Sequence, residues 1–210
     1  MKRINAFDLL EIAVLLALPM LSSKLGFLYI VLVLTIILLA MYRRKEKWSD
    51  YGFKAVKLDK VLLAALVGVG FSLFTTYIQE PLVTKLTGET ADLSMFDHVQ
   101  DNFGAFITLL AMGWFVGGLF EEFLFRGYLL TRINQVVKYP EAGKWLGILL
   151  TSITFGIAHS YQGVGGMINT FIFSVVLGLL FYIFKRNTWY VILIHGFFDT
   201  CGIAWLYLGW

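Results

Sequence analysis

The sequence predicts an all-α fold, a polytopic bundle of about seven transmembrane helices. Of its 210 residues, 59% are hydrophobic and only 15% are charged, and the mean hydropathy of +0.76 lies far outside the balance of a soluble domain. Apolar runs long enough to cross roughly 30 Å of hydrocarbon recur along the whole chain. They are continuous rather than alternating, which argues against a membrane barrel. We therefore expect one integral membrane domain, residues 1–210, in the lipid bilayer of the cell membrane.

The candidate helices follow the apolar runs in order. Asp8 and Glu11 interrupt the first run, whose basic start and short apolar core also resemble a signal peptide. The acidic residues and the lack of an A-x-A-like cleavage site favour a retained helix. No internal repeat supports an inverted-repeat transporter. The predicted helices are 7–21, 26–42, 61–78, 104–130, 145–159, 164–184 and 189–208.

The distribution of lysine and arginine predicts the orientation. Residues 43–60 carry seven basic and three acidic side chains, whereas residues 80–102 carry five acidic side chains and one lysine. Short cytoplasmic loops are enriched in basic residues, so we expect residues 43–60 and the N-terminus in the cytoplasm. This bias accounts for the net charge of +3, and no nucleic-acid partner is implied. If all seven segments cross, the same side also holds Lys2, Arg3, Lys138, Lys144, Lys185 and Arg186.

Three charged side chains lie inside an apolar tract, GLFEEFLFRGYLL, at residues 118–130. A charge at the bilayer centre costs about 2.5 to 3.5 kcal/mol on insertion scales, so such residues normally face the bundle interior or a water-filled cavity. On a helix, Glu122 and Arg126 are four residues apart, in the favourable order for an ion pair. Glu121 lies about 100° around the helix from Glu122 and has no local cation. It therefore needs a cation from another helix, or it has a functional role.

Two other predicted helices carry polar side chains at a similar depth. His159 ends the fifth run, and His195 and Asp199 lie four residues apart on one face of the seventh. Measured from the nearest basic residue of the cytoplasmic side, Glu121, Asp199 and His159 lie roughly 16 to 23 Å into the membrane at 1.5 Å per residue. We expect three helices to bring these groups together near the middle of the bilayer.

Each of these residues also has a structural interpretation. A single intramembrane histidine, such as His159 or His195, often only links helices by hydrogen bonds. Glu122 and Arg126 are interpreted as a structural pair that also positions a neighbouring base. Asn169, near the start of the sixth helix, is a candidate lining residue.

The order of three motifs resembles that of the CPBP or Abi family. This family includes the type II CAAX prenyl endopeptidases, whose core is a helical intramembrane protease. The motifs are E-E-x-x-x-R at 121–126, F-x-x-x-H at 155–159 and H-x-x-x-D at 195–199, and the resemblance covers a catalytic core at 104–200.

The resemblance implies a role for each motif residue. Glu121 would activate a water with the assistance of His159. Glu122 and Arg126 would support the site, and His195 with the residue four positions on would stabilise the oxyanion.

The sequence departs from the commoner form of the last motif, which ends in asparagine, because residue 199 is aspartate. An asparagine amide can donate a hydrogen bond to an oxyanion, whereas an ionised carboxylate only accepts. Asp199 either stays protonated and donates, or is ionised as a metal ligand or as a partner that orients a cationic His195. We favour the ionised form.

Peptide-bond hydrolysis is better supported than CAAX specificity, because no prenyl-substrate determinant is recognisable and the family also includes bacteriocin self-immunity proteins. We expect an intramembrane endopeptidase that acts on a peptide or protein substrate, lipidated or not. The alternatives are a non-catalytic membrane scaffold or immunity protein, and an ion or proton transporter. A divalent metal such as zinc at the Glu/His site is another route to an activated water, but the sequence has no H-E-x-x-H, and the question of a metal stays open.

Overall fold

The computed structural model describes residues 5–209, which form a helical bundle without strands in that range. The predicted fold class is therefore confirmed. Lys2 and Arg3, which entered the orientation argument, lie outside the described residues. The main helices are α1 (Ala6–Leu25), α2 (Phe27–Arg44), α3 (Leu58–Thr87), α4 (Phe103–Val136), α5 (Pro140–Ala158), α6 (Gly163–Ile183) and α7 (Thr188–Leu208).

Within the described part of the chain, six helices are long and apolar enough to cross a membrane by length and composition. Helix α5, which is one of the seven predicted helices, does not meet these criteria of length and hydropathy. Its first turns carry Glu141 and Lys144, whose charged atoms lie 3.7 Å apart, and these charges lower its mean hydropathy. The helix packs mainly against α6 and buries Thr151 and Ser152.

The first apolar run forms a helix despite its two acidic residues. Asn5 caps α1 by accepting a hydrogen bond from the amide of Asp8 at 3.0 Å. Leu15 is fully buried, which anchors the helix on the bundle. A 3₁₀ turn that contains Pro19 interrupts α1 before its last turn.

Charged side chains connect α1 to the ends of α2 and α4. We call this group the end cluster, and it consists of Asp8, Glu11, Arg44, Glu46 and Arg132. Arg44 at the end of α2 donates to Glu11 at 2.6 Å and to Glu46 at 2.7 Å. Arg132 near the end of α4 donates to Asp8. The acidic residues that interrupt the first run therefore have cationic partners from α2 and α4.

The basic connections meet at one end of the bundle, which we call the basic end. Lys54 donates to the carbonyl oxygen of Lys185 at 3.3 Å, and Arg186 donates to the hydroxyl of Thr131 at 3.1 Å. The loop after α2, the end of α4 and the loop before α7 thus share one end, as the charge pattern predicts.

The acidic connection between α3 and α4 lies at the other end. The amide of Asp92 donates to the carbonyl of Gln162 at 2.9 Å, and the amide of Asp101 donates to the carbonyl of Tyr207 at 3.1 Å. This loop therefore contacts the start of α6 and the end of α7.

Two helices contain π-helical segments, in which each amide bonds to the carbonyl five residues earlier. In α3 the segment is Thr75–Gln79, just before Pro81, which has no amide hydrogen to donate. In α4 the segments are Gly113–Glu121 and Phe123–Leu130. Such segments are rare and often occur at functional sites. They change the angular spacing of side chains from the α-helical spacing that the sequence analysis assumed for Glu121.

Candidate active site

The ion pair predicted within α4 is formed. Arg126 Nη1 donates to Glu122 Oε1 at 2.7 Å, and both side chains are completely buried. Arg126 Nη2 also donates to the carbonyl oxygen and to the hydroxyl of Ser174 on α6, each at 3.0 Å. The guanidinium carbon lies 5.3 Å from the ring centre of Phe155 on α5. One arginine therefore contacts three helices through charge-assisted and cation–π interactions.

His195 on α7 lies between two carboxylates. Its Nδ1 is 2.8 Å from Glu122 Oε1, and its Nε2 is 3.5 Å from Asp199 Oδ2. Since a carboxylate oxygen accepts, Nδ1 carries the hydrogen and donates it to Glu122. The predicted placement of His195 and Asp199 on one face is confirmed. The link from His195 to Glu122, 73 positions away, is a feature that the sequence analysis missed.

Glycines in α4 let α7 approach closely at this point. A β-carbon at Gly117 would lie 2.6 Å from Asp199 Oδ2 and 3.3 Å from His195 Nε2. At Gly113, four residues earlier, it would lie 3.3 Å from Asp199. The sequence analysis missed both glycines, although two small residues four apart in a membrane helix are a known signal for close helix contact.

His159 follows the last residue of α5, and its imidazole is fixed by its own helix. Nδ1 lies 2.8 Å from the carbonyl oxygen of Phe155, which can only accept, so Nδ1 carries a hydrogen. In the neutral imidazole, Nε2 is then the nitrogen with a free lone pair. The ring centres of Phe155 and His159 are 4.5 Å apart, which holds the imidazole against the phenyl ring.

A cavity of about 380 Å³ contains Glu121 and His159, and we call it the Glu121 cavity. Tyr29 from α2 and Tyr161 from the turn after α5 also line it. Among residues 5–209, no ion pair includes Glu121, in agreement with the prediction that it has no local cation. The cavity is mostly apolar, and much of one wall comes from the end of α1 and the start of α2: Pro19, Ser22, Gly26, Phe27 and Ile30.

A second cavity of about 320 Å³ contains Asp199 and His195, and we call it the Asp199 cavity. Phe155 and His159 line both cavities, so they form the boundary between them. Asn169, a candidate lining residue in the sequence, lines the Asp199 cavity. The predicted residues therefore come together around His159, with Glu121 on one side and the His195–Asp199 pair on the other.

The described residues offer no preformed arrangement of metal ligands. Within residues 5–209, no group of three or more His, Cys, Asp or Glu side chains is placed so that it could hold a metal ion. Both nitrogens of His195 already face carboxylates, and Nδ1 of His159 donates to a backbone carbonyl. The sequence leaves open whether a metal binds, and the side chains as placed in the described range do not form a zinc site.

The fold and the buried cluster define a helical membrane protein that concentrates carboxylates and imidazoles next to internal cavities. Residues 103–201 match the family model described as type II CAAX prenyl endopeptidase Rce1-like. The match agrees with the resemblance predicted for residues 104–200, which is thereby confirmed. The family is one of CAAX-type intramembrane proteases. Neither a curated protein nor a solved structure matches this sequence.

Proposed function

We propose that this protein is an intramembrane endopeptidase in which Glu121 activates the water that attacks the peptide bond. The observation that supports this proposal is the contrast between two adjacent glutamates. Glu122 is completely buried and bound by Arg126 and His195, whereas Glu121 lines a cavity and has no ion-pair partner among the described residues. A carboxylate held free beside a cavity is available to accept a proton.

In the proposed reaction, a water molecule lies between Glu121 and Nε2 of His159. Glu121 accepts one proton while the water oxygen forms a bond to the scissile carbonyl carbon. The proton then passes to the amide nitrogen as the carbon–nitrogen bond breaks, which gives a carboxylic acid and an amine. His159 orients the water by accepting its other hydrogen, because its Nδ1 is already used as a donor.

His195 is the proposed donor to the oxyanion. Each of its nitrogens faces a carboxylate, an arrangement that favours the cationic imidazolium. We place Asp199 in the ionised form, where it offsets the charge of His195. Its oxygen lies 3.5 Å from Nε2, beyond a normal hydrogen bond, so this N–H stays available to the oxyanion. A cationic donor stabilises the negative oxygen that develops as the water adds.

The proposed substrate is a peptide or protein with an apolar segment, such as a lipidated CAAX sequence. The Glu121 cavity has a mostly apolar lining, which suits a lipid or a large apolar side chain. We also propose that the basic end faces the cytoplasm. A cysteine introduced at Lys54 should then be labelled by a membrane-impermeant reagent only from the cytoplasmic side, and labelling from outside would contradict this orientation.

The test of the function is hydrolysis of a fluorescence-quenched, farnesylated CAAX peptide by the full-length protein in detergent. Glu121→Gln should lower the rate about 10²- to 10⁴-fold, the range that general-base catalysis contributes. Glu141→Gln is the matched control, since that glutamate side chain is 82% exposed at the other end of α5 from His159, and it should keep the full rate.

Three outcomes are distinguishable. Full activity in Glu121→Gln would contradict the assigned base. No hydrolysis by the parent protein of this or of unlipidated peptides would favour a scaffold. Proton flux in liposomes that depends on Glu121 would indicate a transporter.

A further inference from the structure

The Asp199 cavity extends well beyond the motif residues. Helix α3 contributes one wall through Ser72, Thr75, Thr76 and Glu80, and α6 contributes another through Asn169 and Thr170. The π-helical segment Thr75–Gln79 lies in this wall of α3. The cavity volume of about 320 Å³ falls at the lower end of the range of ligand pockets, about 300 to 1,000 Å³. The cavity therefore extends from Asp199 between apolar side chains to a group of polar side chains on α3 and α6.

Side-chain amides support the polar wall. Gln79 is 4% exposed, and its Nε2 donates to both the backbone carbonyl and the side-chain oxygen of Asn169 at 3.1 Å. These bonds fix the position of Asn169 at the cavity. The hydroxyl of Thr75 is buried and has no hydrogen-bond partner among the described residues. Because this oxygen has almost no accessible surface, a ligand in the cavity would meet the polar wall through Asn169.

The charge of the cavity is negative. Glu80 lines it and, within residues 5–209, takes part in no ion pair. Asp199 is the second carboxylate, and the described lining includes no lysine or arginine. His195 offsets part of the negative charge, but it lies close to Glu122 as well. Glu80 therefore lies at the cavity without a cationic partner among the described residues.

The loop over this end of the cavity adds to the negative potential. Ala91 and Leu93 line the cavity, and Asp92 lies between them on an exposed loop. Hydrogen bonds from the side chain and the amide of Ser94 hold the pKa of Asp92 below its usual value. Asp92 is thus ionised at neutral pH, and a cationic group would be attracted to this end of the cavity.

We propose that the Asp199 cavity binds the part of the substrate peptide on one side of the scissile bond, and that Glu80 selects a lysine or arginine there. The proposal rests on the proposed proteolytic function and names the substrate class. A cationic side chain would pair with Glu80, while Asn169 offers a hydrogen bond to the peptide. An acidic side chain at this position would meet two negative groups and be disfavoured.

The test uses matched peptides that carry Lys, Gln or Glu at each of the three positions on either side of the cleavage point. At one of these positions the parent protein should cleave the Lys peptide with a kcat/KM about tenfold above that of the Gln peptide, and the Glu peptide least well. Glu80→Gln, which keeps the size of the side chain, should remove this preference, so that the ratio of kcat/KM between the Lys and Gln peptides falls to about one. Glu80→Lys should reverse it, and Glu141→Gln should retain it.

Equilibrium binding of the same peptides, measured by fluorescence anisotropy, separates the two proposals. One outcome is that no peptide is cleaved while the Lys peptide still binds about tenfold more tightly than the Gln peptide and loses this advantage in Glu80→Gln. That result would contradict the proposed proteolysis and support the cation subsite. If peptides are cleaved without charge preference, or Glu80→Gln keeps the preference, the cation subsite is wrong. Equal binding of all peptides without cleavage would overturn it as well.

Discussion

The end cluster and a second cluster, which we call the active-site cluster, each contain three carboxylates inside the bundle. The two clusters differ in how these carboxylates are paired. The active-site cluster consists of Glu121, Glu122, Arg126, His195 and Asp199. In the end cluster, Glu11 and Glu46 contact Arg44, and Asp8 contacts Arg132. Each carboxylate there has a guanidinium partner. These side chains are 6 to 19% exposed, so water also reaches part of the cluster.

The active-site cluster offers one guanidinium to three carboxylates. Arg126 binds Glu122, while Glu121 has no ion pair among the described residues, and Asp199 lies 3.5 Å from the imidazole of His195. Leaving carboxylates inside a membrane bundle without full compensation is costly, and proteins tolerate this cost mainly at functional sites. Complete pairing thus distinguishes the end cluster from the cluster that we propose to be reactive.

The largest predicted loss of stability is that of Glu122→Gln. This change leaves Arg126 as a charge buried at zero exposure without its carboxylate, so the free energy of unfolding should fall by about 3 to 5 kcal/mol. Glu121→Gln removes a carboxylate that has no ion pair, and it should leave stability nearly unchanged. Thermal unfolding in detergent, followed by circular dichroism, measures both. Equal losses in the two variants would contradict the division between a structural and a reactive glutamate.

A smaller effect is expected for Arg44→Gln in the end cluster. Its side chain is 19% exposed, so water can partly solvate the stranded carboxylates, and a loss of about 2 kcal/mol lies between the values for exposed and buried pairs. Because Arg44 ties α1 and α2 together, limited proteolysis should also cut the N-terminal hairpin sooner. Arg43→Gln is the control, because that exposed arginine only lies over the ring of Phe7. A loss as large as that of Glu122→Gln would show that the two clusters contribute equally to stability, which would contradict the comparison.

The smallest predicted effect is that of Asp199→Asn on catalysis. If Asp199 is ionised and supports a cationic His195, the amide should lower kcat/KM about tenfold at every pH. If Asp199 is instead a protonated donor, the amide should preserve the rate and extend it to higher pH, where an aspartic acid would ionise. Rate–pH profiles of the two proteins decide between these forms. An Asn variant that matches the parent at neutral pH and stays active at alkaline pH would contradict the ionised assignment.

The sequence predicted contacts between residues that are close together in the chain, but not contacts between residues that are far apart in it. The pair of Glu122 and Arg126 follows from helical spacing, and that of His195 and Asp199 follows in the same way, so both were predicted correctly. The bond from Glu122 to His195 joins distant parts of the chain, and no local pattern contains it. The pairing of Glu11 with Arg44 was missed for the same reason.

The helix predictions show a similar limit. Hydropathy located the seven helices, but the predicted run at 61–78 is much shorter than the observed Leu58–Thr87. The extension follows the π-helical segment Thr75–Gln79, and Glu80, Pro81 and Lys85 lower its hydropathy. The predicted run at 145–159 likewise begins later than the observed helix Pro140–Ala158, because Glu141 and Lys144 lower the hydropathy of its first turns.

The wall of the Glu121 cavity has a consequence for how such proteins diversify. Pro19, Ser22, Gly26, Phe27 and Tyr29 lie outside residues 103–201, whereas Glu121 and His159 lie within that segment. The reactive groups and much of the surface against which a substrate would rest are thus encoded in separate halves of the chain. Mutations in the N-terminal hairpin can reshape the cavity without altering the catalytic residues. Evolution can then exchange one substrate for another by drift in the half of the chain that the family match does not cover.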